Sequence, residues 1–313
     1  MFGMNEIVGK KYFKDAPQDS LLVTSRFYTL QGEGPYRGFP AYFVRLAKCN
    51  LACSFCDTYF DSGEYQTFDQ IFNDCDNEID QFYAKRDMLV PQWAQASSRE
   101  VIDGLGPITV PVKRRVVLVI TGGEPTLQIN LTKFLDQANK IFFHTQIESN
   151  GTDPLVLPNE TTLVCSPKCL EKKRNGIDTA VRYLEPKKEM LDRADCLKFV
   201  MCAPDDDQNQ FNPYSEVPQW AHDWMLKTGK QVFVSPMNIY LQEPQKAKNL
   251  RAQKQSGEIS IVERSLVDET ISFWEPGLLD MTKNQRNHEF TADYAMRHGF
   301  ILNLQIHLFA SLP

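Results

Sequence analysis

Six short runs rich in β-branched and aromatic residues recur along the chain, and their spacing constrains the fold more than any other feature of the sequence. Each run has the length and composition of a buried strand, and crossover-length segments separate them. Strands joined by crossovers form right-handed βαβ units in a parallel sheet. The runs are 41–47, 116–120, 142–147, 161–165, 196–201 and 231–235. They are too few to close a TIM-type barrel, so the sequence predicts an α/β fold, an open and partial six-stranded parallel βα barrel.

Two long segments interrupt this plan. Residues 59–115 form a long crossover with a predicted amphipathic helix at 68–86, and residues 241–286 are charged and weakly periodic. Loops of this length are usually functional lids or mobile insertions, while a solvated surface excursion is the alternative for 243–257. A later run, 301–309, alternates between apolar and polar residues and is interpreted as an extra strand. The plan therefore includes N- and C-terminal extensions and two insertions.

Composition narrows the class of protein. The 313 residues are 42% hydrophobic and carry a net charge of −6, which argues against a nucleic-acid binder. No apolar run approaches the roughly 20 residues needed to span a bilayer, and the N-terminus lacks the apolar core of a secretory signal. Eight cysteines in such a chain indicate reduced thiols in a cytoplasmic protein. Composition shows no domain boundary, so we expect a single domain over 1–313.

Polar motifs follow four of the predicted strands, at the point where each strand ends. In parallel α/β folds, ligands bind outside the carboxyl ends of the strands. We therefore expect these motifs to face one common site. They are the cysteine segment KCNLACSFCDT (48–58), TGGEP (121–125), ESNG (148–151) and SPK (166–168).

The cysteine segment has the spacing C-x3-C-x2-C, with Cys49, Cys53 and Cys56 as its members. A structural zinc site needs a fourth ligand close by, and the nearest cysteine, Cys75, lies in the predicted helix. Three thiolates can instead hold a 4Fe-4S cluster and leave one iron without a protein ligand. That iron can bind a small molecule through an amine and a carboxylate. Buried thiols without a metal are the remaining alternative.

With TGGEP, this spacing resembles that of the radical S-adenosylmethionine enzymes. The resemblance implies that the open iron chelates the methionine end of S-adenosyl-L-methionine, and that an electron from the cluster cleaves the sulfonium to give a 5′-deoxyadenosyl radical. It implies that Gly122, Gly123 and Glu124 hold the methionine amino group, and that Phe55 lies near the adenine. An ordinary turn is the alternative for the glycines.

Further motifs narrow the resemblance to the 7-carboxy-7-deazaguanine synthase family. These lyases convert 6-carboxy-5,6,7,8-tetrahydropterin to 7-carboxy-7-deazaguanine by radical ring contraction with loss of ammonia, and they need magnesium. Their product feeds queuosine, archaeosine or deazaguanine DNA bases. The resemblance also implies an electron donor such as flavodoxin or ferredoxin, and a homodimer. It is carried by segments 27–58, 121–128, 148–152, 166–168 and 304–307.

The resemblance implies a substrate pocket. Gln31 and Glu33, in the QGEG loop, have amide and carboxylate groups suited to the donor–acceptor edge of a pterin. Arg45 carries a guanidinium fork that matches a carboxylate, with a salt bridge in the barrel floor as its alternative. Thr121 and Glu148 are placed with the substrate because they sit at strand ends that face the same mouth.

The remaining assignments concern the cofactors and the end of the chain. Ser166 and Lys168 are assigned to S-adenosylmethionine, with a solvated lysine as the alternative. The Thr58 hydroxyl is assigned to Mg²⁺, which prefers oxygen ligands, with a helix cap as the alternative. His307 is expected to donate to the substrate, or else to be a packed histidine. Pro313 is expected to bring its carboxylate into the pocket, with a frayed tail as the alternative.

The chain departs from the common family pattern at several positions. Lys48 replaces a glycine before the first cysteine, Phe55 replaces a tryptophan, and Leu308 stands where lysine is frequent. ESNG also replaces the commoner ETNG or ETSG. An auxiliary cluster is disfavoured because two of its candidate ligands lie on apolar strands, where cysteine is a common core residue. Those candidates are Cys165, Cys169, Cys196 and Cys202.

Two other functions remain open. An activase of a glycyl-radical enzyme has the same cysteine spacing, but its partner is a protein and the QGEG segment would have no pterin to contact. An iron–sulfur or zinc-binding interaction protein without catalysis is the second, and it leaves TGGEP without a role. The expected partners are therefore a pterin and an electron donor, with no nucleic acid and no membrane.

Overall fold

The computed structural model describes residues 7–56, 60–103, 106–174, 177–204, 212–241 and 272–312. The strands are β1 (Ser20–Leu30), β2 (Pro40–Leu46), β3 (Glu64–Thr67), β4 (Ser97–Asp103), β5 (Gly106–Val112), β6 (Arg114–Gly122), β7 (Phe142–Ser149), β8 (Thr161–Cys165), β9 (Cys169–Arg174), β10 (Ile177–Tyr183), β11 (Cys196–Met201), β12 (Gln231–Pro236) and β13 (Ile301–Leu302). The α-helices are α1 (Phe68–Ala84), α2 (Leu131–Ile141), α3 (Lys188–Arg193), α4 (Gln219–Thr228), α5 (Met281–His298) and α6 (Ile306–Phe309). None of these helices is long and apolar enough to cross a bilayer.

The main sheet is parallel and open. Strands β2, β6, β7, β8, β11, β12 and β13 lie side by side in that order and run parallel. Strand β1 pairs antiparallel with β2, and β3 pairs antiparallel with β1 at the edge of the sheet. Helices α2, α3, α4 and α5 lie in the connections between successive parallel strands. All six predicted strands form and occupy consecutive positions, so the predicted open βα sheet is confirmed.

Alternation along each strand divides the sheet into two faces. On β6, Leu118 and Ile120 belong to the main hydrophobic core together with Phe134 of α2. Val117 and Val119 point to the other face, where they pack with neighbouring strands and the chain that precedes β2. Side chains alternate along a strand. Residues that come after Val117 and Val119 on the same face therefore reach the carboxyl ends of the strands, where the polar motifs lie.

The first insertion packs against the edge of this sheet. Helix α1 begins with a capping box, in which Thr67 accepts a hydrogen bond from the backbone of Gln70 and the Gln70 side chain accepts one in return. The buried side chain of Arg26 on β1 forms ion pairs with Asp74 at 3.0 Å and Glu78 at 3.5 Å. The predicted helix at 68–86 is confirmed. The antiparallel hairpin of β4 and β5, in the same insertion, was not predicted.

The interpretation of 301–309 as a strand is wrong beyond its first two residues. After β13, the buried Asn303 donates its backbone N–H to Val234 O at 2.9 Å and its side-chain amide to Ser235 Oγ at 2.9 Å, and its Oδ1 accepts from Gly34 N at 3.0 Å. These bonds hold the chain as it leaves the sheet, and 306–309 becomes the short helix α6. The apolar Leu308 is buried in a separate small cluster.

The second predicted insertion, 241–286, lies largely outside the described residues. Its last part is helical, because α5 begins at Met281 and is capped by the Asp280 side chain, which accepts from Lys283 N at 3.0 Å. The interpretation of this insertion as a lid, and the expectation of a single domain over 1–313, both stay predictions.

Candidate active site

A cavity of ≈ 220 Å³ lies at the carboxyl ends of the parallel strands. The strand-end motifs, the QGEG loop and the C-terminal segment all contribute side chains to it. Thr58 and Pro313 lie outside the described residues. Every other residue that the sequence analysis assigned to the site lines this cavity: Gln31, Glu33, Arg45, Cys49, Cys53, Phe55, Cys56, Thr121, Gly122, Gly123, Glu124, Glu148, Ser166, Lys168 and His307.

The three cysteines follow β2 on one irregular loop. Cys49 is buried, Cys53 and Cys56 are half-buried, and none of them takes part in a disulfide. The backbone N–H of Cys56 donates to Cys53 O at 3.1 Å, and Leu51 N donates to Cys49 Sγ at 3.4 Å. Burial raises the pKa of Cys49, and it raises that of Cys53 to about 11. These two sulfurs are therefore protonated thiols at neutral pH.

The donor set fits a cluster better than a single ion. Within the described residues, no three His, Cys, Asp or Glu side chains are grouped so that they could hold one metal ion. An iron–sulfur cluster does not need such a grouping, because each cysteine binds a different iron. Three thiols outside any disulfide line one cavity here, and no other described cysteine lines it. The residues therefore fit a 4Fe-4S cluster with three cysteine ligands.

The Gly-Gly-Glu loop after β6 packs directly on the start of the cysteine loop. Gly123 N donates to Leu46 O at 2.8 Å, and Glu124 N donates to Lys48 O at 2.9 Å. A Cβ on Gly123 would lie 1.8 Å from Lys48 O, and Gly122 has a φ of +105°. Since real Cβ atoms never approach a backbone oxygen so closely, the glycines are needed for contact between the two loops. Lys48 itself has a φ of +72°, a backbone region that glycine adopts more readily than other residues.

The buried Glu124 carboxylate joins two strand ends. Its Oε1 accepts from Thr126 N at 3.1 Å, Thr126 Oγ1 at 2.7 Å and Ser149 Oγ at 2.8 Å, and its Oε2 accepts from Asn150 N at 2.7 Å. Burial raises the pKa of Glu124, and these hydrogen bonds oppose the rise. Glu124 thus fixes the ESNG loop to the Gly-Gly-Glu loop, and a contact with the amine of S-adenosylmethionine stays a prediction.

A second part of the cavity lining is an acidic floor, which we define as Gln31, Glu33, Glu148 and Lys198. The buried Lys198 of β11 places its Nζ 2.5 Å from Glu33 Oε2 and 2.8 Å from Glu148 Oε2. Gln31 Oε1 accepts from Glu33 N at 3.1 Å, and Gln31 Nε2 lies 3.5 Å from Glu148 Oε1. Gln146 Nε2 also donates to Glu148 Oε1 at 3.1 Å, so one cation and two amides hold the two glutamates.

Neighbouring charges outweigh burial in setting the ionisation of Lys198 and Glu148. Burial alone would lower the pKa of Lys198, but Glu148 and Glu33 raise it above its usual value. Burial would likewise raise the pKa of Glu148, but Lys198 lowers it below its usual value. Lys198 is therefore an ammonium and Glu148 a carboxylate at neutral pH.

Lys198 was not predicted as a site residue, although the sequence contains a signal for it. Lys198 is the charged residue of the apolar run CLKFVM, which was itself predicted to be a buried strand. A buried lysine is almost always paired with an acidic group, so a lysine within a predicted buried strand indicates that carboxylates lie close to it. Their identity was not readable, because Glu33 is 165 residues away along the chain.

The side walls carry further cations and aromatic rings. The Arg45 guanidinium lies over the Phe27 ring, 4.7 Å from its centroid. The Lys168 ammonium donates to Ser166 O at 2.7 Å and Ser166 Oγ at 2.6 Å. Burial lowers the pKa of Lys168, and the neighbouring charge of Lys198 lowers it further.

The side chains of Phe55 and His307 each pack against a neighbouring residue. The Phe55 ring meets Tyr214 edge-on at 5.1 Å between centroids. His307 lies on α6 and not on the expected strand, and a Cβ on Gly32 would come within 2.8 Å of its Nδ1. The C-terminal helix therefore packs directly on the QGEG loop.

A further set of lining residues, which was not predicted, lies at the carboxyl end of β12 and directly after it. The rule that ligands bind at the carboxyl ends of parallel strands could have found them. They are Ser235, Pro236, Met237, Asn238 and Tyr240. The remaining cysteines pack in hydrophobic clusters: Cys165, Cys169 and Cys202 in the main core or against it, and Cys196 in a smaller one.

An open βα sheet whose strand ends gather three cysteines and a Gly-Gly-Glu loop around one cavity is typical of radical S-adenosylmethionine enzymes. No protein-family model matches the chain. A 7-carboxy-7-deazaguanine synthase from Rickettsia prowazekii is 33% identical over 227 residues, which cover 71% of this chain and 77% of that protein. The enzyme of the same name from Rhodospirillum rubrum is 31% identical over 66% of this chain and 68% of its own length.

A third such relative, from Escherichia coli, is 31% identical over 54% of this chain and 69% of its own length. The crystal structure of QueE from Escherichia coli matches 96% of this chain and 99% of that chain at 17% sequence identity, with a TM-score of 0.44. On its sequence relatives, the chain belongs to the 7-carboxy-7-deazaguanine synthase family.

Proposed function

We propose that this protein is a radical S-adenosylmethionine lyase that converts 6-carboxy-5,6,7,8-tetrahydropterin to 7-carboxy-7-deazaguanine with loss of ammonia. The observation that carries the proposal is one cavity with two chemically different ends. Three cysteines and the Gly-Gly-Glu loop form one end, and the acidic floor forms the other. A substrate held on the floor would share one cavity of ≈ 220 Å³ with the cysteine end.

The floor suits the pyrimidine edge of a pterin. That edge presents an amino group and a ring N–H as donors, and carboxylates accept such bonds strongly. Glu33 and Glu148 supply the carboxylates, and Gln31 supplies an amide that both donates and accepts. The carboxylate of the substrate is assigned to Arg45, whose fork matches it in geometry.

The cysteine end suits the cofactor. Cys49, Cys53 and Cys56 would hold a 4Fe-4S cluster, and the Gly-Gly-Glu loop and Lys168 would bind S-adenosylmethionine beside it. When bound, these groups supply one-electron reduction and a carbon-centred radical. The protein's own part is to seat the substrate at the far wall and to close the space between with Phe55 and His307.

The proposal also includes a magnesium ligand, a role for Pro313, an electron donor and the state of assembly. Thr58 contributes its hydroxyl to Mg²⁺, and Pro313 contributes to the substrate pocket. The electron donor is a flavodoxin or ferredoxin. The protein acts as a homodimer in the cytoplasm. Each of these rests on the family resemblance.

The test is product formation under anaerobic conditions. The protein is reconstituted with iron and sulfide and incubated with S-adenosylmethionine, Mg²⁺, a reductant and 6-carboxytetrahydropterin. We expect 7-carboxy-7-deazaguanine by mass spectrometry, and release of one ammonia per product. Reductive cleavage of S-adenosylmethionine without any deazaguanine product would contradict the proposal and favour an activase.

A further inference from the structure

We propose that Lys198 is a positioning residue of the substrate site, which holds Glu33 and Glu148 as two fixed acceptors for the N–H groups of the substrate. This inference rests on the proposed function and extends it to a residue that the family resemblance does not assign. It follows from the contacts of Lys198, from its burial and from the charges around it.

The contacts define a bridge. Lys198 Nζ lies 2.5 Å from Glu33 Oε2 and 2.8 Å from Glu148 Oε2, so one ammonium joins a residue of the QGEG loop to a residue of β7. The Lys198 side chain is 7% exposed, and the two glutamates are 15% and 12% exposed. An ion pair shielded from water in this way is screened far less than a surface pair, so the bridge fixes both carboxylates.

The bridge also decides which groups carry protons. Two carboxylates that approach the same point repel each other, and one of them takes up a proton unless a cation lies between them. A protonated glutamic acid would present an O–H donor to a substrate edge that is itself made of donors. Lys198 prevents this mismatch, since its charge lowers the pKa of Glu148 and its ammonium lies 2.5 Å from Glu33 Oε2.

Neighbouring charged groups do not replace it. Lys168 lines the same cavity and its charge also lowers the pKa of Glu148, but its ammonium donates to Ser166 O and Ser166 Oγ at 2.7 and 2.6 Å. Arg45 lies over the Phe27 ring on another wall. The neutral Cys196 is on the same strand, where burial raises its pKa to about 12. Lys198 is therefore the described cation in contact with both acids of the floor.

The test measures binding in the absence of turnover. The reconstituted protein is titrated without a reductant with 6-carboxypterin, a fluorescent oxidised analogue of the substrate, and the Kd is measured by fluorescence. Lys198→Met removes the ammonium and keeps a similar side-chain length. We expect the Kd to rise by about tenfold or more, since charged hydrogen-bond partners are lost or misplaced. In turnover assays, KM should rise more than kcat falls.

Lys230→Met is the matched control. Lys230 precedes β12 at the amino-terminal end of the sheet, away from the cavity, and its ammonium donates to Ala194 O. The Kd of this variant should stay within about twofold of the wild type.

A double-mutant cycle separates positioning from a purely structural role. If Lys198 acts through Glu148, Lys198→Met should raise the Kd at least about threefold less in a Glu148→Gln background than in the wild type. The Glu148→Gln, Lys198→Met double variant removes one charge of each sign, so it supplies the comparison with Glu148→Gln if Lys198→Met alone does not fold. In that case, a further loss of binding of about tenfold in the double variant would overturn the inference.

Two results keep the two proposals distinct. If the wild-type protein binds 6-carboxypterin and Lys198→Met binds it equally well, the inference is overturned and the proposed function stands. If the wild-type protein does not bind 6-carboxypterin at all, the proposed function itself is overturned, and the inference with it.

Discussion

The two ends of the cavity are built in different ways. At the acidic floor, each charged side chain already has its partner: one buried ammonium bridges two carboxylates at 2.5 and 2.8 Å, and an amide supports one of them. At the cysteine end, Cys49, Cys53 and Cys56 lie outside any disulfide on an irregular loop after β2. The floor is therefore completed by the protein, and the cysteine end is to be completed by its cofactor.

This difference indicates how one site can combine recognition with radical chemistry. Recognition needs acceptors that are fixed before the substrate arrives, because ordering them during binding would weaken the affinity. The cysteine loop needs only to be fixed where it begins. The Gly-Gly-Glu loop fixes it there by donating two backbone hydrogen bonds to residues 46 and 48. A mutation at one end should therefore leave the other end largely intact.

The largest expected effect follows from loss of a cluster ligand. Cys49→Ala, Cys53→Ala and Cys56→Ala should each abolish the brown chromophore and turnover, because the cluster has three protein ligands in the proposed site. Iron content and visible absorption after reconstitution measure the effect. Cys75→Ala is the control, since Cys75 is buried in α1 far from the cavity, and it should leave both intact. A requirement for Cys75 in iron retention would contradict the assignment.

A smaller effect is expected at the junction of the two loops. Gly123→Ala places a Cβ 1.8 Å from Lys48 O, so the cysteine loop must shift. We expect a loss of about 1–3 kcal/mol in the free energy of unfolding, as for other overpacked sites, and a lower iron content per chain. Chemical denaturation and iron analysis measure both.

Gly9→Ala is the control for this substitution, because nothing lies within 4 Å of a Cβ at that position. If the acidic floor is independent of the cysteine loop, Gly123→Ala should also bind 6-carboxypterin nearly as well as the wild type. Full iron content in Gly123→Ala would show that the contact between the loops does not support the cluster.

The smallest effect is expected at the proposed magnesium ligand. Thr58→Ala should raise the Mg²⁺ concentration needed for half-maximal activity without reducing iron content, because the hydroxyl binds Mg²⁺ and not iron. Thr58→Ser keeps the oxygen and should titrate like the wild type. An unchanged Mg²⁺ titration in Thr58→Ala would reassign the residue to a capping role.

The sequence predicted local chemistry well and long-range pairing poorly. The strand runs, the cysteine spacing and TGGEP are contiguous, so they could be read directly, and the structure places these motifs around one cavity. Lys198 was missed because its partners are 165 and 50 residues away along the chain. Spacing carries no information about such pairs without a fold.

The C-terminal run shows a different reason for failure. The alternation over 301–309 resembled a strand, but the half-buried Ile301 packs against one cluster and Leu308 is buried in another. Between them, Asn303 is tied to β12 and to the QGEG loop, and the chain then turns into a helix. Alternating burial over a few residues does not distinguish these cases.

The most direct test of this account is the affinity of cluster-free protein for 6-carboxypterin. Iron is removed under reducing conditions, and fluorescence titration compares this protein with the reconstituted form, without S-adenosylmethionine in either sample. Because the floor is complete without the cofactor, we expect the two Kd values to agree within about threefold. Binding that appears only after the cluster is rebuilt would contradict the claim that the protein alone preforms the substrate site.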